Sequence, residues 1–378
     1  MIITVSIIII YLILIVSLVY GFDKIEDFKL QDLSPKTKFS IVIPFRNEAD
    51  NLPKLLSSLS KLNYPKTLFE IILVNDESED GSIEIINTFL HQNSSKSNKI
   101  NLKVVDTIRE SNAPKKDAIT TAITSSKYDW IITSDADCFF PNYWLETFDE
   151  FIQIQNPNCI AAPVTYYDTS SFFKRFQALD FLSLQGATIG GFGLKQPILC
   201  NGANFGYRKS VFKDLDGFTG NTDIASGDDI FLLEKFKKQS SKKVMYLKSS
   251  NAIVTTSPAD DFKQLVQQRL RWASKTSLNP NLFSKIVGAI VLLANLICIS
   301  LIPLVLLNLI NSRISLALLV IKFSIDFLLL FKTSRFFKQE TMLLSYIFSS
   351  ILYPFFSVYI VLLSLFKSYN WKGRTFKK

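Results

Sequence analysis

Two pairs of carboxylates stand out among the residues that could do chemistry in this chain. Asp135 and Asp137 have a single alanine between them, and Asp228 and Asp229 are adjacent. Two carboxylates so close together repel each other unless a cation lies beside them. Hard divalent ions such as Mg2+ or Mn2+ bind a few carboxylate oxygens together with phosphate oxygens, and the spacing of Asp135 and Asp137 suits such an ion. An exposed turn with two acidic residues accounts equally well for an isolated match of this kind.

Acid–base chemistry must also fall to carboxylates, because the 378 residues include 1 histidine. His91 lies in a polar stretch and is interpreted as a solvated loop residue. Its isolation excludes a Ser-His-Asp triad, a histidine-rich zinc site and a histidine general base elsewhere in the chain. We expect one of Asp228 and Asp229 to cap the helix that begins there, which leaves the other carboxylate as a general base for a hydroxyl group.

Three further places along the chain could bind an anionic or sugar-containing ligand. Asp76 follows a predicted strand, where a carboxylate can accept hydrogen bonds from a nucleobase or a ribose. Lys115 begins a predicted helix, where a basic residue gains nothing from the helix dipole, so an anionic partner is one explanation and a solvated charge is the other. Arg271 and Trp272 offer a guanidinium fork for a diphosphate and a flat face for a sugar ring, although an Arg-Trp pair near a membrane also serves as an interfacial anchor.

The elements that must position these residues alternate between strands and helices. Apolar, β-branched runs predict strands over residues 39–45, 69–75, 102–105 and 130–133. Helical spacing of apolar residues predicts helices over residues 50–60, 81–91 and 115–126. This alternation predicts an α/β fold with a mostly parallel, doubly wound sheet. Ligands bind at the carboxyl ends of the strands in such sheets, and Asp76, Asp135 and Asp137 all follow strand ends.

The pattern is more mixed beyond residue 159. It predicts a strand over 160–166, a helix over 172–184, a glycine-rich passage over 186–206 and an amphipathic helix over 260–272.

Four apolar stretches are long enough to cross the roughly 30 Å hydrocarbon layer of a membrane as helices. Residues 1–22 contain no charged side chain and lack the basic start and small-residue cleavage site of a signal peptide, so they predict a retained anchor. The other three predicted spans cover residues 286–310, 314–331 and 342–366. The middle one contains Lys322 and Asp326 four residues apart, and an inward-facing ion pair makes such a segment tolerable in lipid.

The formal net charge of +9 is interpreted as contact with anionic lipid headgroups on the cytoplasmic side. Basic residues gather around the last spans at Lys332, Arg335, Lys338, Lys367, Lys372, Arg374, Lys377 and Lys378. No aromatic-basic motif of a nucleic-acid module is present, so no nucleic-acid partner is expected. The 4 cysteines have no metal-type spacing and fit a reducing, cytoplasmic compartment.

The motifs, taken in order, resemble the family 2 glycosyltransferases with a GT-A catalytic domain. The series runs from Pro44 and Glu48 through Asp76 and the two acidic pairs to a complete Gln-x-x-Arg-Trp motif at residues 268–272. It is most similar to the membrane-integral branch that includes cellulose, chitin, hyaluronan and poly-N-acetylglucosamine synthases and ceramide glucosyltransferase. The resemblance covers about residues 39–272, and the flanking apolar stretches fit the same branch.

This resemblance implies a role for each matched residue. The residues implied to bind the nucleotide sugar are Pro44, Glu48, Asp76, Lys115, Asp135, Gln268, Arg271 and Trp272. The residues implied to bind the acceptor are Asn201, Gly202, Ala203 and Trp272. Asp137 would bind the metal ion, with Asp135 on the ribose or the metal, and Asp229 would be the catalytic base with Asp228 in reserve. Asn75 and Thr120 depart from the family pattern, which has an acid and an asparagine at those positions.

The implied activity is an inverting, metal-dependent sugar transfer at the cytoplasmic face of a membrane, with Mg2+ or Mn2+ as the cofactor. The donor would be a nucleotide diphosphate sugar, with a UDP-sugar as the first choice, and the acceptor a saccharide or lipid-linked hydroxyl. A processive polysaccharide synthase is the alternative among enzymes. A catalytically inactive sugar-nucleotide-binding scaffold subunit is the alternative outside them.

The predicted organisation has five parts. They are a transmembrane helix over 1–22, a polar linker over 23–38, a GT-A domain over 39–280, a membrane region over 284–367 and a basic tail over 368–378. One leading span and three trailing spans would place the basic tail outside, against the positive-inside tendency. A re-entrant or interfacial segment at Pro303 or Pro354 would remove this conflict.

Overall fold

The computed structural model describes residues 2–94, 99–278 and 281–376, and tertiary contacts divide the chain into two units. The apolar-helix unit comprises residues 1–25, 166–199 and 258–378, and the sheet unit comprises residues 26–165 and 200–257. Residues 166–199 and 258–278, which the sequence analysis assigned to the catalytic domain, group with the apolar helices in this division. The predicted basic tail is described as far as Phe376, and Lys377 and Lys378 lie outside the described residues.

The strands have the following bounds: β1 (Phe39–Phe45), β2 (Phe69–Asn75), β3 (Leu102–Asp106), β4 (Trp130–Thr133), β5 (Cys159–Ala161), β6 (Val164–Tyr166), β7 (Phe205–Arg208), β8 (Val244–Tyr246), β9 (Val254–Thr256), β10 (Tyr369–Trp371) and β11 (Arg374–Phe376). The helices have the following bounds: α1 (Ile2–Lys24), α2 (Leu52–Ser60), α3 (Ser82–Ser94), α4 (Pro114–Ser125), α5 (Trp144–Gln155), α6 (Phe172–Gly193), α7 (Lys209–Asp214), α8 (Asp228–Ser240), α9 (Phe262–Leu278), α10 (Leu282–Leu306), α11 (Ser312–Phe337) and α12 (Tyr346–Phe366).

The sheet unit contains a seven-stranded sheet of order β3-β2-β1-β4-β7-β5-β8. β1 pairs in parallel with β2 and β4, β2 pairs in parallel with β3, and β7 is antiparallel to both of its neighbours. Apolar side chains of β1 and β2, such as Ile41 and Ile72, are fully buried because helices cover both faces of a parallel sheet. The predicted mostly parallel α/β fold is therefore confirmed, with four strand positions close to those expected.

Two local predictions in this unit are wrong. The strand predicted over 160–166 is two strands, β5 and β6, separated by Ala162 and Pro163. Proline cannot donate to a sheet ladder, so β5 stays in the main sheet while β6 pairs with β9. His91 lies on the last turn of α3 rather than in a loop, and its side chain is exposed.

The polar linker is held to α5 by two carboxylates. Asp149 accepts hydrogen bonds from the backbone N–H groups of Lys36 and Thr37, and Glu150 accepts them from Gln31 and Leu33. Both carboxylates are fully buried, and these bonds satisfy charges that would otherwise be costly inside the protein. The chain therefore enters β1 along a fixed path.

In the apolar-helix unit, four helices are long and apolar enough to cross a membrane, judged by length and composition among the described residues. They are Ile2–Lys24, Leu282–Leu306, Ser312–Phe337 and Glu340–Phe366. They correspond to the four apolar stretches in the sequence. Lys322 and Asp326 form the expected ion pair at 2.9 Å, and the Tyr11 hydroxyl donates to the same carboxylate.

The glycine-rich passage predicted from residue 186 belongs in part to a helix, because α6 continues to Gly193. A Cβ on Gly190 would lie 2.3 Å from the backbone oxygen of Leu18, and one on Gly193 would lie 1.8 Å from that of Gly21. Small residues therefore let α6 and α1 approach backbone to backbone, as in helix pairs of membrane proteins. This packing outweighs the low helix propensity of glycine.

Candidate active site

The end of β4 positions the two carboxylates that were predicted to bind a metal ion. Ser134 is fully buried, and its hydroxyl donates to the backbone oxygen of Ala203 at 2.7 Å. Asp135 follows with a side chain that is 40% exposed, and the Asp137 carboxylate accepts a hydrogen bond from the Thr256 hydroxyl at 3.0 Å. The strand end thus fixes the direction of both carboxylates and ties them to the predicted acceptor loop.

Lys115 is the residue that joins this strand end to the second acidic pair. Its Nζ atom lies 2.7 Å from Asp135 Oδ1 and 3.2 Å from Asp228 Oδ2. Burial alone would lower the pKa of Lys115, but the carboxylates of Asp135, Asp228 and Asp229 raise it well above its ordinary value. Lys115 therefore remains a fixed positive charge among these acids, and the solvated alternative for this residue is wrong.

The second acidic pair begins α8 after Gly227, whose φ of +85° favours glycine. The Asp229 carboxylate accepts the backbone N–H groups of Gly202 at 3.2 Å and of Ile230 at 2.8 Å. Asp228 contacts Lys115. We expected one aspartate to cap the helix and the other to be free, but Gly227 is the N-cap and both carboxylates are engaged.

The loop that contains Asn201, Gly202 and Ala203 packs directly against these acids. A Cβ on Gly202 would lie 3.0 Å from Asp228 Oδ2 and 3.3 Å from Lys115 Nζ, so only glycine fits without displacement. The buried Asn204 side chain fixes the end of the loop. It accepts the indole N–H of Trp144 at 3.0 Å and donates to two backbone oxygens at 2.8 Å.

Asp76, the predicted nucleoside-binding acid, follows β2 and is buried. The Arg109 guanidinium contacts its carboxylate and lies 3.7 Å from Asp117. Pro44 lies on the neighbouring strand, paired with Val74, and the Glu48 carboxylate accepts from the side-chain amide of Asn51 at 2.6 Å. Sequence reasoning missed Arg109, because no motif marks it and its partner Asp76 lies on the far side of β3 in the sequence.

Gln268, Arg271 and Trp272 lie on α9, in the apolar-helix unit. Gln268 accepts from the Tyr166 hydroxyl at 3.3 Å, whereas the Arg271 guanidinium carbon lies 4.9 Å from the centroid of the Trp371 ring on β10. Trp272 packs against Arg269, whose guanidinium carbon lies 4.1 Å from the ring centroid. The three motif residues therefore have different neighbours: Arg271 contacts β10, whereas Gln268 and Trp272 contact Tyr166 and Arg269.

Arg269 is a second residue that sequence reasoning missed, although it stands inside the motif. Its Nε atom lies 2.7 Å from Asp180 Oδ2, and both side chains are buried. A buried arginine with a carboxylate partner holds its helix in register, because either charge alone would be strongly destabilised.

The acids that follow β4 suit a hard divalent cation whose remaining ligands come from the substrate and water. No group of three or more histidine, cysteine, aspartate or glutamate residues that could hold a metal ion occurs in the described part of the chain. Mg2+ is commonly bound by one or two carboxylates together with substrate phosphates and water, rather than by a full protein cage. Asp135 and Asp137 supply that donor set, and the Thr256 hydrogen bond orients one of them.

Comparison of the sequence with family models identifies the family to which this chain belongs. Glycosyl transferase family 2 matches residues 40–216, and Glycosyl transferase family group 2 matches residues 130–366, which is more than half of the 378 residues. The chain belongs to the family 2 glycosyltransferases. The two matches together include both acidic pairs and the motif on α9.

This glycosyltransferase has relatives in bacteria and archaea. It is 30% identical over 115 residues to poly(ribitol-phosphate) beta-N-acetylglucosaminyltransferase TarS of Staphylococcus aureus, covering 30% of this chain and 19% of TarS. It is 23% identical over 234 residues to glycosyltransferase AglE of Haloferax volcanii, covering 61% and 70% of the two chains. It is 27% identical over 196 residues to poly-beta-1,6-N-acetyl-D-glucosamine synthase of Staphylococcus epidermidis, covering 50% and 43%. The chain thus spans about a fifth of the length of TarS and less than half of the synthase.

Among solved structures, the glycosyltransferase is similar to mannosyltransferase PcManGT from Pyrobaculum calidifontis in complex with GDP-Man and Mn2+. The TM-score is 0.56 at 14% sequence identity, and the match covers 92% of this chain and 95% of the other. At this identity the similarity concerns the fold alone. It confirms the predicted GT-A fold.

Proposed function

We propose that this glycosyltransferase transfers a sugar from a nucleotide diphosphate sugar to a hydroxyl group of a saccharide or lipid-linked acceptor, with inversion. The observation that carries the proposal is the position of Lys115, whose ammonium bridges Asp135 and Asp228. A fixed cation beside these acids is suited to the negative charge that develops on a departing diphosphate. Such preorganised charge is a large term in the catalysis of group transfer.

The proposed reaction is a direct displacement with Asp229 as the base. Its carboxylate accepts the proton of the acceptor hydroxyl while the hydroxyl oxygen forms a bond to the anomeric carbon. The bond from that carbon to the diphosphate oxygen breaks, and its electron pair leaves with the diphosphate. Both acids lie beside Gly202 of the predicted acceptor loop, but Asp228 is also paired with Lys115, whereas Asp229 accepts the Gly202 N–H; this difference supports Asp229 as the base. A single base with no nucleophile gives inversion.

Asp135 and Asp137 are the residues we propose to hold Mg2+ or Mn2+. When bound, the cation supplies charge neutralisation for the diphosphate. The Mn2+ in the complex of the structural neighbour PcManGT supports this choice of ion. Pro44, Glu48 and Asp76 are proposed to bind the nucleoside part of the donor, and Gln268 and Arg271 its diphosphate. Trp272 is proposed to contact the acceptor.

A donor screen tests the proposed activity. Purified protein in detergent is incubated with UDP-, GDP- and other nucleotide sugars, with and without Mn2+, and nucleotide release is measured. We expect release from one class of donor, a UDP-sugar first, that depends on a divalent cation. Absence of binding and release with every donor would contradict the proposal.

Processive polysaccharide synthesis is the second candidate function. The match to poly-beta-1,6-N-acetyl-D-glucosamine synthase over 196 residues favours it. Product length separates the two: a single transfer yields one added sugar at every donor concentration, whereas a processive enzyme yields long chains while unreacted acceptor remains.

We also propose that the protein is anchored in a membrane and that α12 does not cross it completely. The hairpin of β10 and β11, which follows α12, packs on α9, which precedes α10. Asn370 N–H donates to Gln267 at 2.8 Å, and Tyr369 packs with Val266 and Leu270. Three complete crossings would separate these segments across the membrane, so their contact requires an even number of crossings between them.

The neighbours of α12 support its choice as the segment that does not cross. Phe356 and Tyr359 lie beside Phe262 at the start of α9, with ring-centroid distances of 6.3 Å and 6.4 Å. Amphipathic helices such as α9 lie along the interface, and α12 runs beside this one. With α1, α10 and α11 crossing, the basic ends of α11 and of the chain fall on one side, which the positive-inside tendency makes cytoplasmic. The conflict in the sequence-based topology then disappears.

A further inference from the structure

The apolar-helix unit contains a partly open cavity of ≈ 290 Å³. Five helices of this unit line it: α1, α6, α10, α11 and α12. Its wall is largely aliphatic, with Ile15, Leu18, Leu179, Leu184, Val291 and Leu329 among the lining residues. An apolar cavity of about 150 Å³ is large enough to bind benzene, so this one has room for a longer hydrocarbon segment.

A band of polar groups interrupts this apolar wall. Lys322 and Asp326 both line the cavity as an ion pair, and Tyr11 donates to the Asp326 carboxylate. Lys322 is 1% exposed. Ionisable residues within apolar helices are costly and mark functional sites. Here the pair has no net charge, because each partner neutralises the other.

Ser349 supplies an independent sign of a ligand. Its side chain lines the cavity and is 5% exposed, and its hydroxyl oxygen has no hydrogen-bond partner among the described residues. A buried hydroxyl without a partner costs free energy, which a ligand that hydrogen-bonds to it would recover. Asp180, which also lines the cavity, already has Arg269 as its ion-pair partner.

We propose that this cavity binds an uncharged lipid alcohol, with its hydrocarbon chain against the aliphatic wall and its hydroxyl group at Ser349. The wall selects a hydrocarbon chain, and the free hydroxyl of Ser349 selects a hydrogen-bonding head. The balance of charges disfavours an anionic head, because both carboxylates and both cations of this region are already paired. The proposal rests on the proposed function in one respect: such a lipid would be the hydroxyl acceptor of the transfer.

Photolabelling of the full chain in detergent, without any nucleotide sugar, tests the proposal. The probe is a long-chain alcohol with a diazirine on its chain, and the matched probe is the fatty acid of the same length. We expect the alcohol to label lining segments of α6, α10 and α12, unlabelled diacylglycerol to compete, and the fatty acid to label these segments far less. Equal labelling by both probes, or labelling spread over the exposed faces of the helices, would overturn the proposal.

Two serines of α12 give matched variants. Ser349→Phe fills the cavity and should abolish labelling of its walls, whereas Ser364→Phe, whose serine bonds Val361 O and does not line the cavity, should leave it unchanged. If Ser349→Phe does not fold, Ser349→Ala keeps the test: it should weaken alcohol binding roughly 2- to 10-fold, the effect of one hydrogen bond. Wild-type labelling in a folded Ser349→Phe protein, or unchanged affinity in Ser349→Ala, would contradict the assignment.

The same preparation separates this proposal from the proposed function. Nucleotide release from the donor is measured in parallel, without lipid probe. If release is normal and cavity labelling is absent, the lipid site alone is wrong. If cavity labelling occurs as expected and no donor is turned over, the proposed transfer reaction is wrong.

Discussion

The ammonium of Lys115 lies 2.7 Å from the carboxylate of Asp135, so the first turn of α4 meets the end of β4. The same ammonium reaches Asp228, and the three residues therefore form one connected group from three distant parts of the chain. A lysine so placed would supply a fixed positive charge for a phosphate of the donor, beside the carboxylates that would hold the metal ion. The predictions below follow from this arrangement and from the packing of α9.

Lys115→Met should lower turnover by roughly 100-fold, the effect of removing one fixed group that stabilises charge in a transition state. Its neighbour provides the control. Lys116 is buried and donates to the backbone oxygens of Asn221 and Ile224, so Lys116→Met should lower the melting temperature while the folded fraction keeps its turnover. Steady-state kinetics and thermal unfolding measure the two effects. Normal turnover in a folded Lys115→Met protein would show that the bridge has no catalytic role.

Asp229→Asn should lower transfer by roughly 100-fold or more, because it keeps the shape of the side chain and removes its ability to accept a proton. Donor binding should be retained. Asp228→Asn should weaken the contact with Lys115 and affect donor affinity more than the proton-transfer step. Transfer rate and donor affinity of both variants are measured together. An active Asp229→Asn with an inactive Asp228→Asn would reverse the assignment within the pair.

The parts of this fold that sequence reasoning predicted are those whose signal is local. The runs at residues 39–45 and 69–75 are buried on both faces, so their composition alone indicates strands. The acidic pairs follow strand or loop ends, and the family resemblance placed them in one site. The helical position of the glycines in α6 could not be predicted from local sequence, because it depends on close packing against the backbone of α1.

Partners that are distant in the chain were equally beyond local reasoning. Thr256 orients Asp137 across more than a hundred residues, and Arg109 contacts Asp76 without any motif to mark it. The engagement of Asp228 and Asp229 also depends on a third residue, Lys115, and on the Gly202 loop. Sequence patterns identified the acids, but only tertiary contacts show what each carboxylate already binds.

Substitution of the two arginines of α9 should have different consequences. Arg269→Ala leaves Asp180 buried without its partner and should destabilise the fold by about 3–5 kcal/mol. Arg271→Lys should leave the fold intact but lower transfer, because a lysine cannot reproduce the guanidinium fork proposed to bind the diphosphate. Denaturant unfolding and transfer kinetics measure these outcomes. Normal transfer and donor affinity in Arg271→Lys would show that Arg271 does not bind the diphosphate and only packs against Trp371.

The position of the tail can be measured with single cysteines. Thr375 is exposed on β11, and Leu309 is exposed between α10 and α11. With α12 not crossing, a membrane-impermeant thiol reagent added to intact cells should label Leu309→Cys and leave Thr375→Cys unlabelled. The four native cysteines are buried, so background labelling should be low. Labelling of Thr375→Cys in intact cells would show that α12 crosses the membrane.

The central claim is that Asp135 and Asp137 bind a divalent cation that serves transfer from a nucleotide diphosphate sugar. The most direct measurement is nucleotide release as a function of Mn2+ concentration, for the wild-type protein and for Asp137→Ala, in detergent and with the fold checked by thermal unfolding. We expect release by the wild-type protein to require Mn2+ or Mg2+ and to be lost in Asp137→Ala. Near-normal, Mn2+-stimulated release by a folded Asp137→Ala protein would contradict the account.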